Sequence, residues 1–321
     1  MTIKFKNIFI NNYYSVLGRN EHEVTITADE EIKDYYLNEK AIELAESSFQ
    51  LKSIKGLLLK SKLKEKNINL LIGSDLQPEL MASNFAAKDL KIPFLGIYSA
   101  CASFASSLII SASVLKEEKL ENIIVTTSAH NLASEKTFRF PIEYGCIRKY
   151  ISTFTSTGSV SALVSNKEGK IKIESGTLGT VNDIGFKDVN NMGAAMAHSA
   201  AKTIYEHLKD TKRKANYYDL ILTGDLGIYG VKILKEYMKK EYKIDLNNLK
   251  DAGTIFYKDS GKSIAGASGP VTLPLVLFND IINQKYKKIL IVATGSLHTR
   301  VSSNLKMSIP SIAHAVSLEV L

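Results

Sequence analysis

The feature that most constrains the fold is a strand pattern that recurs in the two halves of the chain. Residues 67–76 read NINLLIGSDL and residues 217–226 read YYDLILTGDL, so both apolar runs end near glycine and aspartate. Further along each half, ENIIVTTSAH at 121–130 resembles KKILIVATGSLH at 287–298. Two similarities in the same order predict a duplicated unit related by a pseudo-twofold axis. Chance similarity between apolar strands is the alternative explanation.

Short β-branched runs alternate with longer helical periodicities, which predicts an α/β architecture. The expected strands are NLLIGS, FLGIYS, NIIVTTS, SVSALVS, IKIESGTLG, DLILTG, AGTIFY and KILIVATGS, with SIAHAVSLEV as the final strand. The main expected helices are EKAIELAESSFQLKSIKGLLLKSKL, ASNFAAKDL, the run after Cys101, GAAMAHSAAKTIYEHLKD, YGVKILKEYMKKEYK and SGPVTLPLVLFNDIINQ. We place the boundary between the halves after residue 170, which gives an N-terminal half of 1–170 and a C-terminal half of 171–321.

Composition narrows the functional classes. The 321 residues are 45% hydrophobic, which is enough for a large core, and the formal charge of +8 suits anionic small molecules or an anionic membrane face. The charge is only weak evidence for nucleic-acid binding, because the lysines cluster at helix-like segments such as KSKLKEK and KEYMKKEYK, where a solvated face is the more common role. Cys101 and Cys146 form neither a CxxC pair nor a disulfide framework, which favours a reducing compartment.

The same inspection finds no targeting or metal signal. There is no signal-peptide core, and no run of about 18 apolar residues, so we expect a cytoplasmic soluble protein with at most peripheral membrane association. No HExxH-type spacing predicts a metal site, and we expect no cofactor.

Cys101 stands where the predicted strand IPFLGIYSA gives way to a predicted helix rich in small residues. The N-terminus of a helix lowers the pKa of a thiol and favours bound anions. Cys101 with His130 is the most nucleophile-like pair in the chain, because acyl transfer needs a thiolate and an imidazole. A buried structural cysteine is the alternative explanation.

Asp75, His130 and Asp225 are also expected at the carboxyl ends of strands, where α/β sheets bind ligands. We expect them to converge with Cys101 on one cleft near the pseudo-twofold axis. The carboxylates would then meet a protonated ligand or a bridging cation, while capping of the following helices is the alternative role. His298 matches His130 in the second half and is interpreted as a relic of the duplication.

The segment SEKTFRFPIEYGCIRKY, residues 134–150, interleaves basic and aromatic side chains. Pro141 and Gly145 predict a loop rather than a regular element. Guanidinium groups such as Arg139 and aromatic rings such as Tyr144 suit a planar anion, through stacking and bidentate contacts to carboxylates. A loop that covers a subunit interface would use similar residues, so that alternative stays open.

Several stretches resemble the stage V sporulation protein AD family of the thiolase-like superfamily. The similar stretches are IGSDLQPELMASNFAAKDLKIPFLGIYSACAS, TTSAHNLASEKTFRFPIEYG, DIGFKDVNNMGAAMAHSAAKTIYEHLKD, YYDLILTGDLGIYG, VATGSLHT and SIPSIAHAVSLE. They span nearly all of the chain after about residue 65, in the order of the family. ACASFAS replaces the usual ACSTSME, and CIRK replaces a QKP-like run, so a divergent ligand preference is one interpretation.

The resemblance implies a thiolase-like fold: two α/β halves in five layers (αβαβα), usually as a homodimer. It implies non-catalytic binding of dipicolinic acid (pyridine-2,6-dicarboxylate), or of its calcium chelate, for uptake into the developing spore. The implied partners are the other SpoVA membrane-complex proteins, at the forespore or spore inner membrane.

The resemblance also implies which residues form the site. Cys101 matches the nucleophile position of the superfamily. In LTGDLGIYG and SGKSIAGASG, where condensing enzymes place His and Asn, the chain has Asp225 and neither expected residue. A thiolate without its base and oxyanion donors is a poor catalyst. A thiolase-like acyltransferase or condensing enzyme that uses Cys101 is the alternative. The expected ligand-binding residues are Asp75, Cys101, His130, Arg139, Glu143, Tyr144 and Asp225.

Overall fold

A computed structural model describes residues 1–117, 119–138 and 149–321. The strands are β1 (Thr2–Lys4), β2 (Phe9–Leu17), β3 (Glu30–Glu31), β4 (Leu70–Ser74), β5 (Phe94–Gly96), β6 (Asn122–Ala129), β7 (Phe154–Thr155), β8 (Gly158–Ser165), β9 (Ile171–Leu178), β10 (Leu220–Thr223), β11 (Leu249–Asp251), β12 (Ala267–Ser268), β13 (Lys288–Ser296) and β14 (Ser311–Val320). The α-helices are α1 (Ile42–Lys60), α2 (Met81–Ala87), α3 (Ser103–Val114), α4 (Asn131–Phe138), α5 (Met192–Thr211), α6 (Gly227–Glu241), α7 (Ala252–Phe256), α8 (Thr272–Asn279) and α9 (Arg300–Asn304).

The main sheet repeats one strand order on both sides of a central junction. Its order is β11-β10-β13-β14-β9-β2-β8-β6-β4-β5, with β1 beside β9 and β3 beside β2. At the junction β2 and β9 run antiparallel, with Ile10 opposite Ile171. Each half contributes five strands to this order. Numbered along the chain within their half, these five strands stand from the junction outwards as first, fifth, fourth, second and third: β2-β8-β6-β4-β5 and β9-β14-β13-β10-β11. The two sequence similarities fall on equivalent strands, β4 with β10 and β6 with β13, which confirms the predicted duplication. The boundary after residue 170 stays a prediction.

The helices complete five layers. α1 and α2 pack on β2, β4, β6 and β8, whereas α5 packs on β9, β13 and β14 and carries α6 on its side. The middle layer holds α3, which touches strands of both halves, together with α8. Phe104 and Leu108 of α3 and Phe278 of α8 are fully buried in the largest hydrophobic cluster. This α/β arrangement agrees with the expected αβαβα layering.

Small residues let α3 approach the sheet closely. A β-carbon at Gly176 of β9 would lie 2.4 Å from the Ile109 side chain. A β-carbon at Gly295 of β13 would lie 2.4 Å from the carbonyl oxygen of Ser99, in the turn before α3. Both distances are shorter than a carbon contact allows, so these glycines fix the place of the turn that carries Cys101.

Two local predictions are corrected, and one strand was not predicted. AGTIFY is not a strand: it contains α7, because the Asp251 side chain caps the helix by accepting from the backbone N–H of Thr254 at 3.0 Å. The first residues of the predicted loop, up to Phe138, belong to α4. The sequence analysis assigned no element to FINNYYSVL, which forms β2 and pairs with β8. Among the described residues, no helix is long and apolar enough to cross a membrane.

Candidate functional site

Cys101 lies on a tight turn between β5 and α3. Ala100 adopts a left-handed conformation with φ of 49°, which is uncommon for a residue with a β-carbon. The Ser103 hydroxyl holds the turn: it accepts from the backbone N–H of Ser99 at 2.8 Å and donates to the carbonyl oxygen of Ala100 at 2.7 Å. Backbone strain of this kind is often found at functional sites. The turn presents Cys101, which is partly exposed, to a cavity.

The cavity lies where the two halves meet. The space between its lining atoms, including the opening, is about 460 Å³, and little of it is wide enough for a water molecule. It is therefore narrow. Its described lining residues are Leu76, Tyr98, Ala100, Cys101, Ser134, Glu135, Phe138, Thr155, Met192, Met196, Asp225, Ser268, Gly269, Ser296 and His298.

Asp225 is the hydrogen-bond partner of the Cys101 thiol. It follows β10 and is 2% exposed; its carboxylate accepts from the Thr294 hydroxyl at 2.8 Å and from the backbone N–H of Gly269 at 3.3 Å. Burial raises the pKa of Asp225 to about 7, although these hydrogen bonds oppose the shift. Burial, and then the nearby Asp225 charge, raise the pKa of the Cys101 thiol well above its usual value. The thiol is therefore held in its protonated form at neutral pH.

His298 lines another part of the cavity, just beyond β13. It is 5% exposed, its Nδ1 lies 2.9 Å from the Ser296 hydroxyl, and its ring centroid lies 5.4 Å from that of Phe138. From the sequence, His298 was interpreted as a relic of the duplication and was not among the expected site residues. Among the described residues, His298 is instead the histidine that lines the cavity.

Two cavity hydroxyls have no hydrogen-bond partner within the described part of the chain. They belong to Ser134 on α4 and Ser268 on β12, which are 5% and 3% exposed. An unsatisfied buried polar group costs about 1–3 kcal/mol, so native proteins usually satisfy such groups with protein, water or ligand. Ser134 and Ser268 are therefore available to donate to a ligand in the cavity. Neither residue carried a sequence signal of its own.

Asp75 does not line the cavity. Its fully buried carboxylate accepts from the backbone N–H of Gln77 at 2.8 Å, and from the backbone N–H and hydroxyl of Ser83 at 2.8 and 2.6 Å. It thus fixes the turn before α2, which is the capping alternative considered from the sequence. Only its neighbour Leu76 reaches the cavity lining. The expected convergence of Asp75 with Cys101 is corrected, because strand-end position does not reveal how a carboxylate is satisfied.

A second buried acid, Glu46 of α1, lies behind Asp75. Glu46 accepts from the Gln77 amide at 2.8 Å and from the Ser128 hydroxyl at 3.0 Å. Burial, and then the charge of Asp75, raise the pKa of Glu46 to about 8. Glu46 was not predicted as a site residue. The only sequence signal for it is an acid beside Ala45 and one turn before Phe49 on the buried face of a helix.

His130 is also outside the cavity lining. Its Nε2 lies 2.9 Å from the carbonyl oxygen of Tyr35, and its own carbonyl oxygen accepts from the backbone N–H of Ser134 at the start of α4. Burial lowers the pKa of His130. The structure therefore does not bring the His130 side chain to the cavity lining beside Cys101, where the convergence was expected.

The remaining expected site residues, Arg139, Glu143 and Tyr144, lie outside the described residues, and their roles stay predictions. Of the seven expected ligand-binding residues, the structure brings Cys101 and Asp225 together in the cavity. Within the described ranges, no group of three or more His, Cys, Asp or Glu side chains is placed to hold a metal ion.

Comparisons with known proteins agree with this architecture. The family described as stage V sporulation protein AD (SpoVAD) matches residues 1–319. A curated relative, stage V sporulation protein AD of Bacillus subtilis (strain 168), is 34% identical over 319 residues, which is 97% of this chain and 94% of the relative.

Solved structures extend the comparison to the fold. A variant of OleA from Xanthomonas campestris has a TM-score of 0.65 at 12% identity, with 99% of each chain covered. The 3-oxoacyl-(acyl-carrier-protein) synthase III of Aquifex aeolicus has a TM-score of 0.57 at 15% identity, with 97% of this chain and 99% of that chain covered. These similarities confirm the thiolase-like fold.

Proposed function

Because this chain belongs to the stage V sporulation protein AD family, its role is in sporulation, and we propose that it binds dipicolinic acid or its calcium chelate without catalysis. The ligand would occupy the cavity beside Cys101 and be passed into the developing spore. The observation that carries the proposal is the Cys101–Asp225 pair, at the position that the family resemblance assigns to the nucleophile of the superfamily.

The Cys101–Asp225 pair opposes acyl transfer. A cysteine nucleophile acts as a thiolate and needs a base that removes its proton. Here a buried carboxyl shares a hydrogen bond with the thiol and raises its pKa. The backbone N–H groups of Gly269 and Cys101 favour the thiolate, but burial and Asp225 outweigh them, and the Gly269 N–H also donates to Asp225. The site therefore disfavours both the thiolate and the negative charge that develops in a transition state.

The rest of the cavity favours a small, flat, carboxylate-bearing ligand. The narrow space suits a planar ring better than a branched one, and the ring of Phe138 is placed to contact it. The free hydroxyls of Ser134 and Ser268 offer donors to carboxylate oxygens.

Charge favours the calcium chelate over the free dianion. The described lining contains the carboxyl group of Asp225 and, in that part of the chain, no lysine or arginine. A free dianion would be repelled there, whereas a chelate with calcium carries no net charge. We therefore expect calcium to arrive already bound to the ligand.

The proposal includes a homodimer and peripheral association with the other SpoVA membrane-complex proteins. β5 lies at the end of the sheet, where Leu95 and Tyr98 are 41% and 44% exposed. An edge strand with exposed apolar side chains is suited to pairing with a second copy. Sedimentation analysis of wild type and Leu95→Lys tests this part: the substitution should shift a dimer towards the monomer.

Calorimetric titration with dipicolinate, with and without calcium, tests the proposed function. His298→Ala should weaken binding about tenfold, because it removes a polar group from the cavity. His130→Ala is the matched control and should bind as wild type does, once both variants are shown to be folded. Absence of binding to wild type, or a larger loss in His130→Ala than in His298→Ala, would contradict the proposal.

The enzymatic alternative has its own test, because the structurally similar proteins include condensing enzymes, among them one described as a tetronic acid condensing enzyme. Intact-protein mass spectrometry after incubation with acyl-coenzyme A should show no acyl adduct on Cys101. An adduct that is absent in Cys101→Ser would favour the acyltransferase.

A further inference from the structure

Five exposed apolar side chains lie on two segments of the C-terminal half. We call them the apolar patch; they are Val181, Ile184, Val301, Leu305 and Met307, and they range from 50% exposed at Ile184 to 68% at Val301. Val301 and Leu305 are four residues apart and therefore share one face of the α9 segment. Single exposed apolar residues are ordinary, but a group of them indicates an interaction site.

Hydrogen bonds join the two segments into one surface. The Ser308 hydroxyl donates to the Asp183 carboxylate. Asn182 and Ser311 exchange backbone hydrogen bonds of 2.9 and 2.8 Å. Ser308 directly follows Met307, and Asp183 lies between the exposed positions 181 and 184. The apolar patch is therefore contiguous rather than five scattered side chains.

Basic side chains surround the apolar patch. Lys187, Arg300 and Lys306 are exposed on the same two segments. The acids of the same stretch, Asp183 and Asp188, accept hydrogen bonds within their loops. Asp183 accepts from the Ser308 hydroxyl and the backbone N–H of Gly185, and Asp188 accepts from the backbone N–H of Asn190. Accepting these hydrogen bonds leaves both carboxylates charged, but basic side chains outnumber them: Lys202, whose Nζ lies 3.2 Å from the Asn182 amide oxygen, is a further cation beside the apolar patch. The net charge of this surface is therefore positive.

We propose that the apolar patch docks on an anionic lipid bilayer. Apolar side chains beside lysine and arginine are typical of surfaces that enter the headgroup region, where the apolar groups leave water and the cations meet anionic lipids. An acidic protein partner would be matched by the basic residues but would leave the exposed valine, isoleucine and leucine side chains unexplained. The observations therefore favour a bilayer as the occupant.

The position of the apolar patch relates it to the cavity. The segment that carries Val181 and Ile184 leads directly into Met192, and α9 begins two residues after His298; both residues line the cavity. Docking would thus hold the bilayer against segments that adjoin the ligand site. This inference deepens the membrane association in the proposed function, and it does not depend on the identity of the ligand.

Co-sedimentation of the full chain with lipid vesicles tests the inference. Wild type should bind vesicles of phosphatidylcholine with phosphatidylglycerol and release at high salt, and it should bind pure phosphatidylcholine weakly. The double substitution Lys187→Gln, Lys306→Gln should weaken binding to the anionic vesicles about 30-fold. Val301→Ser with Leu305→Ser should weaken it about tenfold or more.

Leu59→Ser is the matched control, because Leu59 is 80% exposed among lysines at the end of α1 and lies outside the apolar patch. It should leave vesicle binding unchanged. No binding by wild type, equal binding to neutral vesicles, or an equal loss in Leu59→Ser would overturn the inference. Dipicolinate titration of the same variants separates the two proposals: the apolar-patch variants should keep wild-type ligand affinity, whatever that affinity is.

Discussion

Asp75 and Asp225 occupy equivalent places in the two halves, yet their environments differ. Asp75 directly follows β4 and Asp225 lies two residues after β10, 150 positions apart in similar sequences. Asp75 accepts three hydrogen bonds from its own turn and lies outside the cavity lining. Asp225 accepts from groups of other elements and faces the Cys101 thiol. Duplication conserves the backbone position of an acid, while the neighbouring side chains decide whether it supports a turn or a ligand site.

The largest expected difference between the two acids is in stability. Asp75→Ala leaves the buried donors of Gln77 and Ser83 without an acceptor, and it should lower the free energy of unfolding by about 2–4 kcal/mol. Asp225→Asn keeps an acceptor for Thr294 and removes a charge that burial disfavours, so it should change stability by less than about 1 kcal/mol. Urea denaturation of both variants measures the difference. Equal losses would contradict the contrast.

Glu46, the buried acid behind Asp75, makes the stability of the N-terminal half depend on pH. Because the pKa of Glu46 is raised from 4.5 to about 8, the folded state binds a proton that the unfolded state releases between these values. The contribution of Glu46 to the free energy of unfolding is complete below about pH 4.5. It falls as the pH rises towards 8, by up to about 1.4 kcal/mol per pH unit.

Glu46→Gln removes this titration and should keep the neutral hydrogen bonds. The difference in unfolding free energy between Glu46→Gln and wild type should therefore grow in favour of the variant from pH 5 to pH 8. Parallel pH curves for the two proteins would show that Glu46 is not the titrating group.

At Asp225 the contrast predicts a change in the reactivity of the Cys101 thiol. Asp225→Asn removes the negative charge next to Cys101 and should lower the pKa of the thiol. Alkylation by iodoacetamide at a fixed neutral pH should then be faster, by up to about tenfold if the thiol pKa falls by one, because the thiolate is the reactive form. The rate should be read from the peptide that contains Cys101, apart from the one that contains Cys146. Unchanged rates would mean that Asp225 does not control the thiol.

The smallest expected effect concerns the free hydroxyls. Ser268→Ala should weaken dipicolinate binding by about 1 kcal/mol, since a neutral hydrogen bond is worth roughly that much. Ser107→Ala is the control, because the Ser107 hydroxyl on α3 is equally buried and lacks a partner among the described residues, but it does not line the cavity. Isothermal titration of both variants compares them, and an equal loss would place the ligand elsewhere.

The sequence predicted more of the fold than of the site. The repeated strands, the strand–turn–helix at Cys101 and the final strand β14 follow from apolar periodicity, which reports burial directly. Periodicity also placed Asp75 and His130 at strand ends, but it contains no information on which donors satisfy them. His298 was noticed and assigned no role, because its contact with the cavity depends on how the two halves pack together.

The most direct test of the central claim is protection of Cys101 by ligand. Iodoacetamide alkylation of the wild-type chain is followed by mass spectrometry, with and without dipicolinate and calcium. A ligand in the cavity beside Cys101 should slow alkylation of the Cys101 peptide in proportion to occupancy. If dipicolinate binds by calorimetry while Cys101 is alkylated at the same rate, the ligand is not in this cavity and the account is wrong.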